Sequence, residues 1–134
     1  MRGSEKLFVT LQSNKRANNM ATKTQVEKFL KDFKIKTKIC GLLFRDDRGK
    51  NKETLQQLDL VPAYREIIIK TLKVEDYVDG PVVDTLNKVG EMWVFGKDYK
   101  QREIYIKIML GRYNCQTICI SFHIAEYPLQ YPFK

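Results

Sequence analysis

The sequence predicts an α+β domain, with N-terminal helices packed on one face of a twisted antiparallel sheet of three or more strands, and three observations predict it. Glu103 to Leu110 alternates without a break, with Ile104, Ile106 and Ile108 pointing one way and Glu103, Tyr105 and Lys107 the other. That period of two belongs to a strand buried on one face. Gln116 to His123 repeats the pattern, with Ile118, Ile120 and Phe122 against Thr117, Cys119, Ser121 and His123. The intervening Gly111-Arg112-Tyr113-Asn114-Cys115 supplies the glycine and asparagine that a hairpin loop needs. Upstream, Val26, Phe29, Leu30 and Phe33 recur at helical spacing behind Thr24-Gln25-Val26-Glu27, which fits a capping box.

The elements follow in order. Residues 1–19 are polar and basic without periodicity and read as a flexible leader or upstream extension, with Met20 as an alternative start. Residues 20–134 form a single domain, since 134 residues suffice for one real core but not two. The first helix starts at Thr24 and ends near Lys34. Ile35 to Phe44 is β-prone and then apolar, so a strand and a buried connector both fit. The charged turn RDDRGKN follows, and Asn51 can cap a short helix carrying Leu55 and Leu58. Pro62 starts another helix, Ala63 to Leu72, whose apolar side carries Tyr64, Ile67, Ile68 and Leu72. Val74 to Gly90, interrupted by Gly80-Pro81, reads as a short helical or irregular link. Either Trp93 and Phe95 or Met92 and Val94 then pack on the isoleucine face. In the tail, two Tyr-Pro steps exclude regular helix, while Tyr127, Tyr131 and Phe133 imply that it lies against the domain.

Keeping every isoleucine on one face sets a hairpin register of Ile108 opposite Ile118, Ile106 opposite Ile120 and Ile104 opposite Phe122. The other face then pairs Tyr105 with Ser121, Lys107 with Cys119, and Glu103 with His123, the only histidine. A net charge of +8 attracts polyanions, which leaves nucleic acid, an acidic protein or an anionic membrane surface as partners. No apolar run approaches the roughly 20 residues of a spanning helix. Three cysteines without CxxC spacing read as reduced thiols of a cytoplasmic protein, and one histidine gives a structural zinc site no footing. Walker and dinucleotide glycine patterns are both missing from the sequence.

Lys97, Lys100, Arg102, Lys107 and Arg112 interleave with Tyr99, Tyr105 and Tyr113 around this face. Cations neutralise phosphates and aromatic rings stack on unpaired bases, a combination suited to single-stranded RNA. A solvated amphipathic sheet face, of which Lys and Tyr are ordinary occupants, is the plainer alternative. RNA cleavage by side chains needs a base for the ribose 2′-hydroxyl, an acid for the leaving oxygen and cations for the phosphate. His123 exchanges protons near neutrality, and Tyr105 does so with Lys107 beside it. Lys107 and Lys97 can hold phosphate charge, and Glu103 can anchor His123. A nucleophilic Cys119 facing His123 is formally open, and Asp46 and Asp47 read as local ion pairs or caps.

From Leu55 to Phe122 the chain resembles the MqsR family of type II toxins, within the RelE-like class of small basic mRNA interferases. The resemblance is carried by LQQLDL, by REIIIKTLKVEDY, by the Trp93 strand, and by IYIKI followed after a turn by ICISF. It implies a RelE-like fold and a metal-independent endoribonuclease, without cofactor, that cleaves single-stranded mRNA and stops translation and growth. The implied partners are mRNA and a cognate antitoxin, with cutting either independent of the ribosome or linked to translation on it, in the cytoplasm and away from membranes. The family's catalytic tyrosine falls on Tyr105, its strand lysine on Lys107, and the lysine after its final Ser-Phe on His123. Two further functional positions of the family are Asp79 and Val94 here, leaving Lys97 and the tail as replacements. A non-catalytic RNA- or protein-binding module on the same scaffold is the alternative reading.

Overall fold

The computed structural model describes residues 20–47, 49–83 and 90–134, so the leader read into residues 1–19 lies outside the described residues. Helix α1 spans Lys23–Cys40, and its cap is Thr22 in place of Thr24. The Thr22 hydroxyl accepts from the Gln25 amide at 3.2 Å, and the Gln25 side chain accepts from the Thr22 amide at 2.9 Å. Helix α1 also continues past Lys34, because Thr37 extends the buried stripe of Val26, Phe29, Leu30 and Phe33 by one more turn. The Thr37 hydroxyl meets that of Thr117 at 2.7 Å, so this polar addition to the stripe is satisfied inside the core. Gly41, at φ +92°, ends the helix and leaves only Leu42–Phe44 for strand β1.

Helix α2 (Gly49–Gln57) and helix α3 (Tyr64–Lys70) follow. In α3 the triple isoleucine run carries no phase of its own. Ile68 and Ile69 are buried together with Leu72, while Tyr64 and Ile67, expected inside, are exposed. What rotates the helix is Arg65, whose buried guanidinium grips both Asp46 oxygens at 2.7 and 3.0 Å and lies 3.9 Å from the Phe44 ring centroid. Asp46 is thus an ion-pair partner, but of Arg65, distant in sequence, and not of a flanking arginine, while Asp47 makes the expected local pair, with Arg45 at 3.3 Å.

Strands β2 (Tyr77–Val83), β3 (Glu91–Tyr99), β4 (Arg102–Met109) and β5 (Thr117–Ile124) complete an open sheet of order β1-β5-β4-β3-β2. All neighbours are antiparallel except β1 and β5, which run parallel, so the sheet is mixed and the α+β class holds. Strand β2 replaces part of the link expected over Val74 to Gly90, of which residues 84–89 lie outside the described residues. Its Gly80-Pro81 step is compatible with a strand because β2 is an edge, where a missing N–H need not break a ladder.

The helices cover one face of the sheet. Trp93 pairs with Ile108 and Phe95 with Ile106, which settles the choice between the two candidate pairs of β3. Phe29 of α1 stacks on Trp93 with centroids 4.5 Å apart, and the core closes around Ile104, Ile106, Ile108 and Phe122, all fully buried.

Candidate active-site cleft on the outer sheet face

The face turned away from the α1 side of the sheet carries Tyr105, Lys107 and His123, as the alternation of β4 requires. Their pairing differs from the sequence expectation. Tyr105 lies opposite His123, Lys107 opposite Ser121, and Ile106 opposite Phe122, while Ile108 faces Cys119 and Met109 faces Ile118. The strand already leaves the hairpin loop one residue out of the expected register, and a bulge in β5 opposite the step from Lys107 to Ile108, which spends Ile120 without a ladder partner, adds a second. Beyond the bulge the strand is displaced by two residues from the expected register, so faces are kept while neighbours change. Before it the phase is inverted, and Thr117 and Cys119 enter the core while Ile118 and Ile120 are half-buried.

Helix α2 holds this bulge. Strand β1 ends at Phe44, leaving the outer edge of β5 without a strand beyond Cys119. Asn51 and Thr54 take over: the Asn51 amide donates to the Ile120 carbonyl at 3.4 Å and accepts from the Phe122 amide at 3.0 Å, and Thr54 accepts from the Ile124 amide at 2.9 Å. Asn51 also donates to the Arg45 carbonyl at 3.0 Å. It is therefore a buried bracket inside α2, and not the cap expected of it.

The result is an open cleft of about 530 Å³ lined by Tyr105, Lys107, Ser121 and His123 from the sheet, by Gly49, Lys50 and Asn51 from α2, and by Glu126, Tyr127 and Leu129 from the tail. Tyr105 and His123 stack with centroids 5.1 Å apart and planes 13° apart. The Lys107 ammonium stands 6.0 Å from the Tyr105 ring centroid. His123 Nδ1 lies 2.9 Å from the Ile124 carbonyl oxygen, which can only accept, so Nδ1 carries a proton. In the neutral ring Nε2 then holds the lone pair, the form a general base needs.

Glu103 does not anchor His123. Its two oxygens instead accept from the Leu129 amide at 2.9 Å and the Tyr131 hydroxyl at 2.7 Å, pinning the C-terminal tail across the outer face. Gly96 makes this possible, since a Cβ there would meet Leu129 Cδ1 at 2.7 Å and the Tyr131 ring at 2.9 Å. Burial, with the Glu103 carboxylate beside it, pushes the Tyr131 phenol up. Phe133 stacks on Tyr77 at 5.4 Å, so the tail packs against the domain through Tyr131 and Phe133, while Tyr127 is exposed.

None of the four further phosphate-binding candidates lines the cleft. Lys97 pairs with Ile104 on the helix side and binds Asp76 at 2.9 Å, because its position in β3 has the parity of Phe95. Lys100 sits in the two-residue turn after β3, at φ +51°, and donates to the Leu58 carbonyl at 2.7 Å. Arg102 follows that turn with the parity of the core isoleucines, and Arg112 lies in the exposed β4–β5 loop, where its carbonyl accepts from Lys36 at 2.6 Å. Cys119 is excluded as a partner of His123, since it points into the core, donates to the Ser121 carbonyl at 3.4 Å, and has its thiol pushed up by burial.

The sequence reading missed Lys50, Ser121, Glu126 and Tyr127. The available signal was Asn51 and Thr54 at a spacing of three on α2, a polar stripe that here faces the sheet edge and carries Lys50 to the cleft. Among the described residues, no three His, Cys, Asp or Glu side chains converge, and no helix is long and apolar enough to cross a membrane. No protein-family model, curated protein or solved structure matches this chain.

Proposed function

We propose that this chain is an endoribonuclease, the toxin component of a type II toxin–antitoxin pair, which cuts single-stranded mRNA in the cytoplasm and so arrests translation and growth. The observation that carries the reading is the Tyr105–His123 stack on neighbouring strands, beside Lys107 in an open cleft. His123 Nε2 takes the proton of a ribose 2′-hydroxyl as that oxygen bonds to the adjacent phosphorus. The bond to the 5′-oxygen breaks, Tyr105 donates its proton to the departing oxygen, and a 2′,3′-cyclic phosphate remains. Proton return from His123 to Tyr105 through solvent resets the pair. Lys107 neutralises charge on the pentavalent phosphate, where a fixed cation lowers the barrier most. The resemblance to MqsR toxins supports Tyr105 and Lys107, places His123 where the family has a lysine, and supplies an antitoxin as a further partner, with cutting either independent of the ribosome or linked to translation.

The test is purified protein with a defined mRNA, with cut ends mapped and their chemistry read. Tyr105→Phe and His123→Ala are each expected to lower the cutting rate by about 10²–10⁴-fold, the usual contribution of a proton-transfer group. Both positions are half-buried on the outer face, so Tm should hardly move. Full cutting by both variants removes the site assignment.

One observation favours a second reading, a non-catalytic RNA- or protein-binding module. Asp79 pairs with Val94, Val94 with Lys107, and Lys107 with Ser121 in one row across the sheet. The row thus holds a carboxylate and an isopropyl group at the two positions where the family it resembles is functional. This reading expects salt-dependent binding of single-stranded RNA and no cut products at any protein concentration.

A further inference from the structure

The ion pair between Lys50 and Glu126 is not used by the mechanism above. Lys50 stands at the start of α2 and Glu126 at the start of the tail, and both line the cleft. Their side chains meet at 2.6 Å and remain 58% and 54% exposed. Helix α2 is fixed to β5 through Asn51 and Thr54, and the tail is fixed to β4 through Glu103. Both groups are therefore delivered to the cleft by rigid supports, while the contact between them is open to solvent. The Glu126 carboxyl is held below its usual range by the Lys50 hydrogen bond and its charge, with His123 contributing. The carboxylate form that binds the ammonium is thereby favoured.

Resting on the RNA-cleaving reading, we propose that Lys50 is a second phosphate-binding cation of the cleft, occupied in the free protein by the Glu126 carboxylate, which an incoming phosphodiester displaces. A carboxylate and a phosphodiester present similar anionic oxygens to an ammonium group. Lys107 from the sheet and Lys50 from α2 bring two cations from different elements into the cleft that holds the Tyr105–His123 stack, as a strand with successive phosphates demands. A half-exposed pair of this kind is weak, so displacement is cheap and Glu126 tunes affinity without blocking the site. Tyr127, 78% exposed beside Glu126, leaves a ring available for a base stacked next to that phosphate.

The experiment measures binding of a labelled single-stranded oligoribonucleotide with 2′-O-methyl riboses, which lacks the attacking hydroxyl, to the full chain by fluorescence anisotropy. At low salt Glu126→Gln should tighten binding by roughly two- to five-fold, the range an exposed ion pair can impose. That gain should vanish near 1 M salt, where the screening length falls to about 3 Å. Lys50→Met should weaken binding, Lys50→Arg should restore it, and Glu126→Gln should add nothing on the Lys50→Met background. Equal affinity of the wild type, Glu126→Gln and Lys50→Met overturns the subsite while leaving the nuclease reading intact. Failure of the wild type and every variant to bind at low salt overturns both.

Discussion

Replacing Asn51 tests whether one side-chain amide sets the geometry of the cleft. Asn51 is 2% exposed and makes three hydrogen bonds, to the carbonyls of Arg45 and Ile120 and from the amide of Phe122. Asn51→Ala leaves the buried Phe122 N–H and at least one carbonyl without a partner. At about 1–3 kcal/mol for each buried unsatisfied group, the loss is about 3 kcal/mol. For a domain of this size that lowers Tm by about 10 °C. Thermal and urea unfolding read the size of the effect, and amide exchange at Phe122 and Ile124 reads its place. Asn51→Leu is the decisive companion, because it fills the volume without restoring any hydrogen bond. If Leu recovers most of the stability lost in Ala, the cost was a cavity and the bracket argument is refuted. If both fall together and exchange quickens first at Phe122, the bulge depends on the amide, and with it the stacking of His123 on Tyr105.

Other expectations concern the tail, the ion pair at Arg65 and the thiols. Gly96→Ala should expel Leu129 and Tyr131 from the sheet, at a cost of about 1–3 kcal/mol for the bonds to Glu103. Proton exchange at the Leu129 amide and a return of the Tyr131 phenol toward the ordinary pKa of about 10, read by ultraviolet titration, check this. The Arg65 hydrogen bond holds the Asp46 carboxyl below its ordinary value, so its stabilisation is present above the unfolded pKa of about 3.9 and is lost as pH falls through the lower folded value. The stability gap between wild type and Asp46→Asn should therefore hold steady near neutrality and narrow below about pH 4, a trend that urea unfolding at several pH values can contradict. Iodoacetamide should label exposed Cys115 in the native protein, whereas buried Cys119, its thiol pushed up, should react only after denaturation. Native labelling of Cys119 on the same timescale would show that the β5 core position is open.

What the sequence displayed and what it hid divide along a physical line. Strand β4 was legible because Ile104, Ile106 and Ile108 alternate with polar residues, and nothing interrupts its ladder. That alternation alone places Tyr105 and Lys107 on the outer face. Strand β5 alternates as regularly, yet its apparent apolar set is misleading, because Thr117 and Cys119 are buried while Ile118 and Ile120 are not. A bulge shifts phase without any required residue type, and here its stabiliser, Asn51, lies far away along the chain. The same reason hid α1 beyond Lys34 and Lys50 in the cleft. Thr37 and Thr54 look like solvent-facing residues until their partners, Thr117 and the Ile124 amide, are placed beside them. Polar side chains that satisfy the backbone or one another inside a core carry no hydropathy signal, so their contribution is visible only in three dimensions. The displacement by two residues nevertheless preserved the faces, since a strand's side chains return to the same side at every second position. It exchanged the expected Tyr105–Ser121 neighbour for Tyr105–His123. The Tyr105 and His123 rings are thus stacked together through a register that the alternation could not disclose.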